Sequence, residues 1–264
     1  MSSLSSPSDR FEALSAAERW MSDARRIAEV PGGLVQSKID MTHAKASLQR
    51  LRDAGLPATF AHLIVRAVAI ALARNPNLYQ TVCGYERVVT AKVDIGLSMT
   101  GLDATIPLVV SDADQKTLPA LVGAVEDAIE AARSREARLR RLVWRLPFGF
   151  LRRWLLRRWY ATFSSRRRLA GTLEVTCDSN ADVVVPLRFY TDAVIAAGRV
   201  RDAVVVLDGE PTIRPMAWLT LCVDHVAMDG MRGAALMRAV KEVLEGEELI
   251  AEAGGAGPPE GAQA

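Results

Sequence analysis

At 264 residues, 50% of them apolar, and with a formal net charge of +2 at pH 7, the chain has the material to bury a core as one large domain or two small ones, which excludes a disordered or fibrous protein. No run of about 18 to 20 uncharged apolar residues occurs, and the opening MSSLSSPSDRFEALS lacks the basic and apolar regions of a signal peptide, so a soluble cytoplasmic protein is expected. The charge is uneven: thirteen arginines face a single acid, Glu136, between Arg133 and Arg168, a local charge of +12 that leaves −10 on the remainder.

The first ten or so residues are Ser-rich and read as a disordered lead. Phe11 to Val30 is helix-like, PGG at 31–33 breaks it, and LVQSKIDM alternates as a strand does. THAKASLQRLRDAG reads as a helix with Thr42 as N-cap and Gly55 near its end. ATFAHLIVRAVAIALARNPN is a largely apolar, central helix with Thr59 as cap and Pro76 beyond its close. ERVVTAKVDIGLSMT and ATIPLVVSD are strand-like, and TLPALVGAVEDAIEAARS restores helical periodicity.

The arginine-rich stretch then intervenes at about 134–170, with Pro147 and Gly149 dividing it into two short helices. GTLEVTC, DVVVPLRFYTDAVIAAGRV, DAVVVLDG and MAWLTLCVDH follow as strands with turns between. GMRGAALMRAVKEVLEGEELI is a last amphipathic helix, and 251–264 reads as a disordered tail. Early helices followed by a block of strands suggest an α+β sandwich of helices on a mixed sheet, a single domain over 11–250.

Three cysteines far apart (Cys83, Cys177, Cys222) read as small buried hydrophobes in a reducing compartment. His43 and His62 read as structural, and no histidine or cysteine has companions at metal-ligand spacing.

His225 differs. It stands where the alternating MAWLTLCVD strand stops and a helix begins, a place from which a side chain can be aimed rigidly into a cleft. Its ring exchanges a proton near neutral pH. Asp229, four residues on, is suited to cap the helix that follows.

DHVAMDGMRGAALMRAVKEVLE resembles the H-x-x-x-D-G signature and following helix of the catalytic domain of dihydrolipoyl acyltransferases, the core components of 2-oxo-acid dehydrogenase complexes, in the superfamily of chloramphenicol acetyltransferase. The resemblance runs from about residue 11 to 250. SKIDMTHAKASLQRLR is similar to the segment around E-V-D-x-T, and TFAHLIVRAVAIALARNPNL to the helix that ends before a proline and asparagine. VDIGLSMTGLDATIPLVVSDADQKTLPAL is similar to the family's IG…GL…PVI…AD…SL stretch, and GTLEVTC stands where the family reads G-T-F-T-I-S/T-N.

The resemblance implies a chloramphenicol acetyltransferase-like fold and acyl transfer between coenzyme A and a thiol, usually that of a dihydrolipoyl group. The histidine, here His225, is the general base. Proton transfer from a thiol near pKa 8.5 to an imidazole near 6.5 costs roughly 2.7 kcal/mol, whereas transfer to a carboxylate near 3.9 costs roughly 6, which favours His225 over Asp224. By motif position Thr176 donates to the tetrahedral oxyanion, and Asp229 steadies site geometry and charge. The superfamily's trimer places each site between two subunits, so His225 of one copy is expected to face Thr176 of its neighbour.

The chain departs from the pattern at several points. The family's D-H-R becomes Asp224-His225-Val226, and the residues after Thr176 read CDSNADVVVP. Neither a lipoyl nor a subunit-binding domain is expected before the catalytic region, and a lipoyl acceptor is expected on another chain, a lipoyl-carrier protein. A non-catalytic trimeric scaffold, recruited to a membrane, and an acyltransferase for a small-molecule acceptor are the alternatives. The basic run carries Trp144, Trp154 and Trp159 among leucines and arginines. It suits an anionic membrane surface, which would make the protein a peripheral one, or a hairpin packed on the protein's own core, or a protein partner; nucleic acid fits less well.

Overall fold

The computed structural model describes residues 10–13, 32–83, 85–100, 105–142, 149–151, 154, 162–186, 188 and 191–255. Among them the strands form two sheets. The larger is mixed, with β2 (Gly33–Asp40), β10 (Glu210–Val223), β8 (Ala193–Ala197), β7 (Leu173–Cys177), β5 (Ile95–Thr100) and β6 (Thr105–Val110) in that spatial order, and with β9 (Arg201–Leu207) also on β10. The β5–β7 and β7–β8 pairs are parallel and the others antiparallel. The smaller sheet is β1 (Arg10–Ala13), β4 (Glu86–Val89) and β3 (Thr81–Cys83).

Helices α1 (Thr42–Asp53), α2 (Phe60–Arg74), α3 (Leu118–Leu142) and α5 (Gly230–Glu245) cover one face of the large sheet, while the short α4 (Phe163–Ala170) packs by β6 and the short α6 (Glu248–Gly254) by α1. The period-2 alternation of the strands supplies that face. Leu219, Leu221 and Val223 point into the core from β10, with Leu173 and Val175 beside them on β7. Gly233 lets α5 approach closely: a Cβ there would stand 3.2 Å from the Val35 side chain and 3.5 Å from that of Leu221. Helix α2 is buried on nearly every side, from Leu63 to Leu72. This mixed sheet with its helical layer is the expected α+β sandwich.

Of α2's two arginines, Arg74 at its end is exposed and Arg66 in its middle is buried. The Arg66 guanidinium grips Glu252 with Nη2 to Oε1 at 2.7 Å and Nε to Oε2 at 2.9 Å, and its Nη1 donates to the Asp114 carbonyl at 3.0 Å. Glu252 Oε2 also accepts the Leu118 N–H at 2.8 Å, at the first turn of α3. The expected tail therefore begins later than 251: α6 runs to Gly254 because a buried cation demands a counter-charge, and Glu252 provides it. Residues 256–264 lie outside the described residues.

Other expectations are corrected locally. Residues 10–13 form strand β1, not helix, because β4 offers an edge to pair with, and 14–31 lie outside the described residues. Thr42 is the first residue of α1; the Asp40 carboxylate takes its N–H at 2.9 Å and its hydroxyl at 2.5 Å. Thr59 caps α2 as expected, and its N–H donates to His62 Nδ1 at 3.0 Å in a capping box. Residues 181–186 are irregular, and the last helix breaks at Gly246. Of the cysteines, Cys177 is exposed and the other two are half-buried.

Strands β8 and β9 both run against β10, and the register slips by one residue between them, from Ala197↔Leu219 to Arg201↔Met216. Asp208 (φ 51°) and Gly209 (φ 85°) close this hairpin in the two left-handed positions of a type I′ turn.

Candidate active site

Strand β10 delivers the chain to His225. At its end Asp224 is buried, and its N–H donates to the Asp192 carbonyl at 2.7 Å. Asp224 Oδ1 accepts the Val226 N–H at 2.9 Å, and its carbonyl accepts the N–H groups of Ala227 and Met228, each at 3.0 Å. The result is a tight turn in which Asp224, Val226, Ala227 and Met228 are buried and His225 alone is exposed. Apolar anchors on both sides thus hold the backbone while the imidazole is presented outward. Among the described residues the ring has no hydrogen-bond partner. Asp224, with its oxygens engaged and no access to solvent, is unsuited to collect a proton from a substrate.

Asp229 is the N-cap of α5, its Oδ1 accepting the Arg232 N–H at 2.8 Å, and it is exposed. The capping role expected from sequence is the contact observed.

Thr176 lies near the end of β7, half-buried. Alternation puts it on the same side as Glu174 and opposite the core residues Leu173 and Val175, so both polar side chains belong to the sheet face away from the helices. Glu174 is buried there, accepts a hydrogen bond from Ser98, and has its carboxyl pushed above the usual carboxylate range by burial, with the Ser98 bond opposing the shift.

The structure does not bring Thr176 and His225 together within one chain. Thr176 pairs with Ala196, and Ala196 with Thr220. Thr176 is therefore two strands from β10, roughly 10 Å across the sheet, while β10 runs three further residues, roughly 10 Å, before the turn that carries His225. The two backbones stand at least about 14 Å apart, and a hydroxyl and an imidazole so separated cannot serve one carbonyl carbon.

The basic segment contributes to the same end of the sheet. Arg167 Nε meets Asp94 Oδ2 at 2.6 Å, and Arg166 Nη2 meets the Val82 carbonyl at 2.7 Å and Asp192 Oδ2 at 3.5 Å. At least two of its arginines are thus spent on carboxylates of the protein's own body. The expected division at Pro147 and Gly149 lies largely outside the described residues, although 149–151 and 154 are helical. Sequence reasoning missed two further groups beside the turn, Arg87 and Arg188; neither stands in a motif, and Arg188 falls in a stretch read as strand.

The family model described as 2-oxoacid dehydrogenases acyltransferase (catalytic domain) matches residues 15–142 and 190–251. The chain belongs to this acyltransferase family. His225 and Asp229 fall inside the matched stretches and Thr176 falls between them. The lipoamide acyltransferase component of the branched-chain alpha-keto acid dehydrogenase complex of Pseudomonas putida is 25% identical over 235 residues, covering 87% of this chain and 49% of that protein. The chain thus spans about half the length of the curated relative it matches.

Among solved structures, the dihydrolipoamide acetyltransferase of Azotobacter vinelandii gives a TM-score of 0.65 at 19% identity over 86% of this chain and 87% of that one. The role of a serine, a histidine and an asparagine in the catalytic mechanism of that enzyme has been investigated. A chloramphenicol acetyltransferase gives 0.55 at 12% identity over 89% of this chain and all of that one. At these identities the two structures establish the shared fold.

Proposed function

We propose that this acyltransferase moves an acyl group between coenzyme A and a thiol, at a site formed between neighbouring copies of the chain in a homotrimer. His225 of one copy takes the thiol proton, the thiolate attacks the thioester carbonyl, and the Thr176 hydroxyl of the adjacent copy donates to the oxyanion of the tetrahedral intermediate. The intermediate collapses by expelling the other thiolate, which recovers the proton from the imidazolium. Asp229 supports this indirectly, by fixing the first turn of α5 immediately after the turn that carries His225.

The observation that carries the reading is the register: an exposed imidazole on a braced turn, and a hydroxyl on a strand whose backbone stands at least about 14 Å from that turn, so that a second copy would have to bring it there. The dihydrolipoyl group is the proposed thiol acceptor, carried on another chain, in keeping with the names of the relatives.

Acyl transfer from a panel of acyl-coenzyme A thioesters to dihydrolipoamide, followed by mass spectrometry, tests the proposal. Transfer by the wild type and its loss in His225→Ala, with both proteins trimeric by light scattering, is the expected result. A His225→Ala variant as active as wild type would remove the base; a wild type inactive towards dihydrolipoamide would redirect the search to small-molecule acceptors or to the scaffold.

A further inference from the structure

The sequence carries no cation directly after His225, because Val226 stands where the family reads arginine. Val226 is instead buried, and the cation at this turn comes from elsewhere in the chain. Arg188, on the irregular segment before β8, places Nη1 3.1 Å from Asp224 Oδ2; the two side chains are 18% and 2% exposed. The other carboxylate oxygen, Oδ1, accepts the Val226 N–H. Asp224 therefore links the arginine to the peptide groups on both sides of His225. A second arginine, Arg87 of β4, donates from Nη2 to the Val226 carbonyl at 3.4 Å.

The chain entering β2 is shaped around this pair. A Cβ on Gly32 would lie 1.8 Å from the Val223 carbonyl oxygen and 3.0 Å from Arg188 Cζ. Glycine at that position lets the backbone lie against the end of β10 and leaves the guanidinium its place.

The geometry points to Arg188 as a positioning residue for His225, acting through Asp224, an assignment that rests on the reading of His225 as the base. A buried carboxylate is stable as an anion only when charge and hydrogen bonds compensate its burial. Weakening the Arg188 contact favours rotation of the carboxylate towards water, which releases the Val226 N–H and loosens the turn. Imidazole placement is the quantity at risk, and a misplacement of about 1 Å can reduce turnover about 100-fold. Ground-state binding of the acyl donor is not at risk, because the Arg188 guanidinium is taken up by Asp224 and its side chain is only 18% exposed, whereas His225 is exposed. The loss should therefore fall on kcat and leave KM nearly alone.

Arg188→Lys, which keeps a cation within reach of Oδ2, and Arg188→Gln, which keeps size and a donor but no charge, test this in the full-length trimer. The Lys variant is expected to retain kcat within about threefold, and the Gln variant to lose at least about tenfold, with KM for acyl-coenzyme A changed less than about twofold. Native-state hydrogen exchange at the Val226, Ala227 and Met228 amides should quicken in the Gln variant and not in the Lys variant. Equal kcat and equal exchange in both variants and wild type would overturn the assignment. So would a Gln variant whose loss appears only as a smaller folded fraction. Should His225→Ala prove fully active, the base reading falls, and the exchange measurement still decides whether Arg188 holds the turn.

Discussion

A site assembled from two copies makes a demand that a site within one copy does not. His225→Ala removes the proposed base, and Thr176→Ala removes the proposed oxyanion donor. Lone losses of that kind are about 100- to 10,000-fold for a general base and about 100- to 1,000-fold for an oxyanion donor, so each variant alone should run at about 1% of wild type or less. Mixed at equal amounts, reversibly unfolded and allowed to reassemble, the two should recover. In a cyclic trimer every site draws its histidine from one copy and its threonine from the next. A histidine is present with a chance of about one half and a threonine with the same chance, so about one quarter of sites hold both. The mixture is expected to reach about 25% of wild-type acyl transfer per mole of chain, against about 1% for either parent treated identically. The separation of at least about 14 Å between β7 and the His225 turn is what forbids repair within a copy. A mixture no faster than its parents, with mixed trimers demonstrated by two different affinity tags, would refute the shared site. A Thr176→Ala variant as fast as wild type would remove Thr176 from the chemistry.

Further outcomes follow from the fold. Glu252→Gln leaves Arg66, whose side chain is 10% exposed, without its counter-charge. Breaking a buried pair costs about 3 to 5 kcal/mol, or roughly 6 to 20 °C in melting temperature for a chain of this size, and a calorimetric shift below about 2 °C would contradict the anchor. Burial holds the His62 imidazole below its ordinary value against smaller opposing contributions from Thr59 and Glu126, so the neutral ring contributes stability above pH about 6.5 that is lost as pH falls through the depressed value. His62→Gln keeps a Thr-x-x-Gln capping box and should flatten that acid loss in denaturant titrations at pH 5 and pH 8; a variant with the wild-type pH slope would dispose of the assignment. The basic run, in which Phe150 and Trp154 are 65% and 58% exposed, is expected to carry the protein onto anionic vesicles at low salt and to release it at about 0.5 M salt. Protein left wholly in the supernatant at low salt would remove the membrane partner.

Much of the layer structure was legible because the strands alternate and α2 is largely apolar, and both patterns survive into the burial of the folded chain. His225 and Asp229 were legible because a titratable ring at a strand end and an aspartate before a helix are local signals. Thr176 could be placed on a strand end, but the distance separating it from His225 depends on which strands lie between, and strand order is not written in the periodicity. Arg188 and Glu252 were not legible at all. Each is a single charge in a stretch without a motif, and each acquires its role from a partner brought in by tertiary packing: Asp224 for one, Arg66 for the other. The opening strand β1 was missed for the same reason, since four residues take extended form only because the edge of β4 is there to receive them.

The grip of Arg66 on Glu252 joins residues 186 positions apart, and that span sets an order of events in the growing protein. At about 5 to 20 residues per second, a ribosome needs roughly 10 to 40 s after adding Arg66 before it adds the carboxylate that neutralises it. Until then the Arg66 guanidinium has the Asp114 carbonyl as a partner but no carboxylate from α6. Closing the sheet over α2 before the last described helix arrives would cost about 3 to 5 kcal/mol for the unpaired charge, so chains that have reached Glu252 are expected to hold α2 at its final depth more firmly than chains that stop short of it.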